Sequence, residues 1–246
     1  MKLSLEATTK LLPKIQGFGD FDWVSFPRTL SDSSYLDFFS NSSVPRIISM
    51  GNGKGEPELK KTREMWEKLG GKDIIISPDF VGDHIKTITT YDIYCQEYGV
   101  ESVIGVLQGS SYKEVLSCMN YYKGQVAVPF NIGSTDSATN SMMALRRALV
   151  VSNIPSDRYV HLLGFNNIPE LEWYETKPNV ISINTGYPIL LGLKEQDILS
   201  IDNDSDKSEN TFDAIDVAEA SCKGQLSQTQ WTAVVRNIAL LRRYIS

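Results

Sequence analysis

Short apolar, β-branched runs alternate along this chain with longer amphipathic stretches, and a polar or glycine-containing loop follows nearly every run. The runs are Val44–Ile48, Ile74–Ile76, Val103–Leu107, Val126–Phe130, Tyr159–Leu163 and Val180–Ile183. Brief continuous apolar runs bounded by turn residues read as strands buried on both faces. The residues that follow them are Ser49 with Met50-Gly51-Asn52-Gly53, Pro78-Asp79, Gln108-Gly109, Asn131-Ile132-Gly133, Gly164 and Asn184-Thr185-Gly186.

The stretches between the runs have helical spacing. Glu56–Leu69 starts with Pro57 near its first position, carries Leu59, Met65, Trp66 and Leu69, and stops at Gly70-Gly71. Ser111 to Glu114 has the capping-box form and precedes Val115, Leu116, Met119 and Tyr122 on one face. His84–Tyr98, Ser137–Val151 and Ile168–Tyr174 fill further slots, and Thr229–Tyr244 predicts a long helix on the outside of the fold. Repeated strand–helix–strand units imply parallel pairing through right-handed crossovers. The expectation is an α/β fold of the (β/α)8 TIM-barrel type with a C-terminal helix, one domain over residues 1–246. Strands near Phe21–Phe26 and Leu199–Ile201 would bring the number to eight; an open doubly wound sheet is the alternative. In a barrel, all the loops named above face one mouth, where this fold carries its chemistry.

A length of 246 residues suits that barrel, and 41% hydrophobic with 22% charged residues is an ordinary globular composition. No run approaches the ~20 apolar residues of a membrane span, and the first residues lack a signal-peptide core. Cys95, Cys118 and Cys222 form neither a disulfide framework nor a paired zinc motif, so the cytoplasm is the expected compartment. A net charge of −6 argues against a broadly basic nucleic-acid surface while leaving room for a local basic face.

Few residues carry distinctive chemistry. Asp202, Asp204, Asp206, Ser208 and Asp213 have EF-hand-like spacing, but Lys207 stands where the turn needs glycine, so a solvated acidic loop is expected and no calcium. Asp79 offers only acceptors when ionised, which suits the N–H edge of a purine-like base, whereas Asp83 reads as the cap of the helix from His84. The Gln108 amide both donates and accepts, which suits a nucleobase edge as well as an ordinary loop. Gly51, Gly53 and Gly55 around Lys54 could approach a phosphate, yet their spacing fits no known phosphate loop. His161 lies inside an apolar strand and reads as a core residue.

These residues also carry a resemblance. Ile75-Ile76-Ser77-Pro78-Asp79-Phe80-Val81-Gly82-Asp83 with Thr87, Gly105-Val106-Leu107-Gln108-Gly109, His161-Leu162-Leu163-Gly164 and Ser182-Ile183-Asn184-Thr185-Gly186-Tyr187-Pro188 look like the tRNA-guanine transglycosylase superfamily. The likeness is closer to its short phage and bacterial branch, which inserts 7-deazaguanines into DNA, and Leu12 to Asp22 is similar to that branch too. It covers roughly residues 10–190. The resemblance implies a TIM barrel that exchanges guanine in DNA or tRNA for a 7-deazaguanine base through a covalent glycosyl-enzyme ester. That is a transferase without cofactor or metal, in the host cytoplasm if phage-encoded, with no membrane partner and self-association left open. Asp79 and Gln108 match the family's base-recognition residues, Gly109 accompanies Gln108, Gly164 matches backbone near the base, and Tyr187 would stack on base or ribose.

The chain departs from the family at its two other acids. The nucleophilic aspartate falls on Asn184 and the second active-site aspartate on Ser49; an amide is a poor nucleophile, so Asp79 is the first candidate to act catalytically in its place. A catalytically silent base-binding or accessory homologue, and a nucleoside glycosylase, therefore stand beside the transglycosylase.

Overall fold

The computed structural model describes residues 1–53, 58–133, 140–199, 211–222 and 225–246. Eight strands are arranged side by side: β1 (Lys2–Leu5), β2 (Asp22–Ser25), β3 (Arg46–Ser49), β4 (Ile74–Ile76), β5 (Val103–Val106), β6 (Val126–Pro129), β7 (Val160–Leu163) and β8 (Val180–Thr185). Every hydrogen-bonded pair is parallel, in the order β1-β8-β7-β6-β5-β4-β3-β2, which is a nearly closed TIM-type barrel. Backbone and side-chain hydrogen bonds from Asp20 and Ser4 bridge the remaining seam between β1 and β2. Asp20 N–H donates to Leu3 O at 2.7 Å, Leu3 N–H donates to Asp20 Oδ2 at 2.7 Å, and Ser4 Oγ donates to Phe21 O at 2.9 Å.

Helices wrap the outside: α1 (Leu12–Ile15), α2 (Phe26–Ser31), α3 (Ser33–Ser40), α4 (Leu59–Lys68), α5 (His84–Tyr98), α6 (Tyr112–Tyr121), α7 (Asn140–Ser152), α8 (Tyr187–Leu193), α9 (Thr211–Ser221) and α10 (Gln228–Ile245). Strand alternation divides the core in two. Outward residues such as Leu3, Leu5, Ile48, Ile75, Val128, Leu162 and Ile183 pack against the helices. The barrel interior holds Phe21, Trp23, Ile47, Ile76, Ile104, Val106 and Ala127. His161 belongs to this interior, as the sequence suggests, with Nε2 2.6 Å from Gln125 Oε1 and Nδ1 2.5 Å from Ser182 Oγ. A Gln Oε1 can only accept, so the Nε2 nitrogen carries the proton and the Ser182 hydroxyl donates to Nδ1. Burial pushes this imidazole down to about 4, so it is neutral at physiological pH.

α10 packs on α8 and fastens the chain's two ends, with Met1 N donating to Ile245 O at 2.8 Å and Arg242 reaching Phe18 O and Asp20. Among the described residues no helix is long and apolar enough to cross a membrane.

Several expectations need correction. The strand sought at Leu199–Ile201 is not the eighth: Leu199 lies in a turn and the next two positions fall outside the described residues. The eighth strand is β1, whose Lys2 and Ser4 interrupt its two leucines and so hide it from a search for apolar runs. Ile168–Tyr174 forms a 3-10 helix. Only half the expected capping box forms at α6, since Ser111 Oγ accepts from Glu114 N while the Glu114 carboxylate turns back to Ser110. The strand expected at Phe21–Phe26 is β2, and α5 begins and ends as expected with Asp83 as its cap. The acidic stretch lies almost wholly outside the described residues, as do Lys54 and Gly55.

Candidate functional site at the barrel mouth

Parallel strands deliver their C-terminal ends to one rim, and the sequence-selected residues follow them there. Ser49 closes β3, Asp79 and Gln108 sit just beyond β4 and β5, Asn131 follows β6, Gly164 follows β7, and Asn184 is the penultimate residue of β8. The mouth therefore brings together Ser49, Asp79, Gln108, Gly109, Gly164 and Asn184.

Asp79 and Gln108 form one unit. Gln108 Nε2 donates to Asp79 Oδ2 at 2.8 Å, and both residues are buried. Burial pushes the Asp79 carboxyl up to about 6, against the lowering effect of the Gln108 amide. The backbone on either side is fixed: Gly53 N–H donates to Asp79 O at 2.7 Å, Thr87 Oγ1 accepts from Phe80 N at 3.0 Å, and the Cys118 thiol donates to Gln108 O at 3.2 Å. A Cβ at Gly53 would meet the Phe80 ring at 2.3 Å, so a larger residue there would have to displace that ring. The glycine loop thus packs on the Asp79 segment through its described part. Gly109 is likewise a packing residue, since a Cβ would lie 2.6 Å from Glu114 Cβ at the start of α6.

Gln108 Oε1 is buried without a partner among the described residues. Thr8 Oγ1, Asn166 Oδ1 and Asn167 Oδ1, on the loops after β1 and β7, are buried unpaired as well. An unsatisfied buried acceptor costs about 1–3 kcal/mol, so Gln108 Oε1 is open to a donor; Asp73 Oδ2 and Asn179 Oδ1, before β4 and β8 at the opposite end of the barrel, are unpaired among the described residues too.

Across the mouth, Asn184 is held at both ends of its amide. Oδ1 accepts from Gly164 N–H at 3.0 Å, and Nδ2 donates to a Glu6 carboxylate oxygen. Gly164 adopts a φ of +63°, a left-handed conformation natural to glycine, and this turns its N–H toward Asn184. Behind it, buried Arg147 donates to Leu163 O at 2.8 Å and forms a two-pronged ion pair with buried Glu170, which also accepts from Tyr174.

Glu6 is the site residue that sequence reading missed. It follows β1, where Leu3 and Leu5 face outward while Ser4 and Glu6 fall on the opposite face. Its N–H donates to Thr185 O at 2.9 Å, continuing the β1–β8 ladder up to the mouth. Burial pushes its carboxyl up to about 7. The available signal was the alternation of Lys2-Leu3-Ser4-Leu5, which places Glu6 at a strand end like the other candidates.

Two other candidates play local parts. The Ser49 hydroxyl accepts from Gly51 N at 3.3 Å. Tyr187 opens α8 with its N–H on Thr185 Oγ1, and its ring is buried in the outer apolar layer.

Compared with models of known protein families and with curated proteins, the chain matches none.

Proposed function

We propose that the mouth binds a guanine-type base, guanine or a 7-deazaguanine, and that the protein exchanges such a base in nucleic acid, as its likeness to the tRNA-guanine transglycosylase superfamily implies. The observation that carries this reading is the buried Asp79–Gln108 pair, with Gln108 Oε1 unpaired among the described residues. Guanine presents N–H donors on one edge and the O6 and N7 acceptors on another. A carboxylate beside an amide answers both, since Asp79 accepts and Gln108 accepts and donates. The unpaired Oε1 would gain a donor on binding, and Gly164 lies on the same rim.

A second reading is favoured by one observation. Asn184, where the family has its nucleophile, is an amide engaged on both sides, which suits a base-binding protein without exchange. Calorimetry with guanine, 7-deazaguanine and adenine tests what the two readings share. Guanine-type bases should bind in preference to adenine, and Asp79→Ala should weaken them roughly ten- to hundredfold. Equal binding of all three bases, or an unchanged affinity in the variant, would overturn the assignment.

A further inference from the structure

Glu6 stands in a setting that structural need alone does not explain. Its carboxyl is buried at the mouth, and among the described residues no lysine, arginine or histidine forms an ion pair with it. Among the described residues its one side-chain partner is the Asn184 amide. A glutamine would accept the same hydrogen bond without a buried charge, which costs several kcal/mol when unpaired. A buried carboxyl at a rim, with its ionisation opposed by burial, is a candidate for a chemical role.

The residue at position 184 fits this carboxylate. Gly164 N–H fixes Asn184 Oδ1, so the opposite end of the amide must be a donor, and that donor points at Glu6. An aspartate there would set two carboxylates against each other at hydrogen-bonding distance, and one would have to stay protonated. Asn184 is therefore matched to Glu6: the two positions hold one carboxylate and one amide, with the carboxylate just after β1 and the amide on β8.

We propose that Glu6 is the nucleophile of the exchange, oriented by the Asn184 amide. The inference rests on the base-exchange reading above and names the group that attacks. A Glu6 oxygen forms a bond to C1′ of the nucleotide as the C1′–N9 bond breaks. The electron pair of that bond leaves on guanine, which takes a proton from water. In the second half N9 of the incoming base, losing its proton to water, attacks C1′. The ester C1′–O bond then breaks, and its electron pair returns to Glu6. Asn184 donates to one carboxylate oxygen throughout and leaves the other to react.

The test uses the whole chain with a guanine-containing DNA duplex, a tRNA transcript and labelled free guanine. The unmodified protein should incorporate label into one of the polymers and give a denaturation-resistant adduct that peptide mass spectrometry maps to Glu6. Glu6→Gln, which preserves the bond to Asn184, should lose at least about 10³-fold in exchange while keeping its affinity for guanine. Asn184→Asp alone should also lose exchange, whereas Glu6→Gln combined with Asn184→Asp, which moves the carboxylate across the pair, should recover part of it. An adduct on another residue, or undiminished exchange by Glu6→Gln, overturns the proposal. So does the absence of any exchange while guanine still binds, an outcome that leaves base recognition intact. If guanine does not bind the unmodified chain, the base reading falls and the role of Glu6 falls with it.

Discussion

Gln108 donates its amide to Asp79 at 2.8 Å across 29 positions of sequence, so the tips of β4 and β5 are joined by two side chains that have no business in a dry core unless something else completes them. Among the described residues the bond leaves Gln108 Oε1 unpaired, and burial holds the Asp79 carboxyl in a medium that resists its ionisation. Both features work against the stability of the empty fold.

The first prediction follows from that cost. Asp79 has its carboxyl raised from 3.8 to about 6 in the folded chain, so the native state holds the proton more tightly than the unfolded state does. The stability tied to this proton is complete below pH 3.8 and disappears as pH rises through about 6. Asp79→Asn should therefore stabilise the protein at pH 8 by on the order of 1–3 kcal/mol and leave it little changed at pH 4. Urea unfolding at the two pH values measures the difference; equal effects at both would show that Asp79 is not buried as described.

His161 carries the opposite sign. Its imidazole is lowered from 6.5 to about 4, so the unfolded chain takes up a proton in that interval and the folded chain does not. Its contribution is complete above pH 6.5 and is lost as pH falls through about 4. In NMR the His161 ring should stay neutral from pH 7 down to pH 5, protonated on Nε2. A midpoint near 6.5 would disprove the closed contact with Gln125 and Ser182.

Much of the architecture is legible in the order of residues. Runs such as Ile74–Ile76 and Val103–Val106 are buried on both faces, and a strand of that kind declares itself through uninterrupted β-branched residues. β1 was hidden because its inner face is polar: Ser4 bonds across the seam to Phe21 O, and Glu6 serves the mouth. The same polarity hid Glu6, whose placement depends on β1 pairing with β8, the most distant strand in sequence. Asp79, Gln108 and Asn184 could be singled out locally, since each follows an apolar run. Their partners could not, because the Asp79–Gln108 and Glu6–Asn184 bonds arise only once the barrel closes. The Arg147–Glu170 pair was equally silent, its charges reading as the solvated side of a helix and a loop.

That buried pair supports a third prediction. Arg147 and Glu170 are both fully enclosed, and Arg147 also lies 4.8 Å from the centre of the Phe130 ring. Removing one charge strands the other, so Arg147→Met should cost about 3–5 kcal/mol in urea unfolding. Replacing both, as Arg147→Met with Glu170→Leu, should recover most of the loss, because two apolar side chains strand no charge. The double variant still lacks the donor to Leu163 O, so the Gly164 amide should exchange with deuterium faster than in the unmodified chain. Equal losses in the single and double variants would mean that the pair contributes by packing and not by charge compensation.

The last prediction concerns the seam, on which the position of Glu6 depends. β1 is hydrogen-bonded to β8 on one side only; on the other, Asp20 holds it through both its backbone and its carboxylate. Arg242 of α10 braces that carboxylate at 2.9 Å, so the C-terminal helix helps to fix the N-terminal strand. Burial pushes the Asp20 carboxyl up, but the Leu3 N–H and Arg242 outweigh it and the net shift is downward. The stabilisation is accordingly present at neutral pH and fades as the carboxylate is protonated in acid. Asp20→Ala should remove the bond to Leu3 N–H and cost about 1 kcal/mol, the usual worth of such a bond. Deuterium exchange at Leu3 should accelerate in the variant while the amides of β5 and β6, on the far side of the barrel, keep their protection. The proposed guanine binding, assigned to Asp79 and Gln108, should persist, whereas the proposed exchange should fall as β1 loosens and Glu6 moves away from Asn184. Unchanged protection at Leu3 would show that pairing with β8 alone fixes the strand, and that Asp20 and Arg242 play no part in setting the mouth.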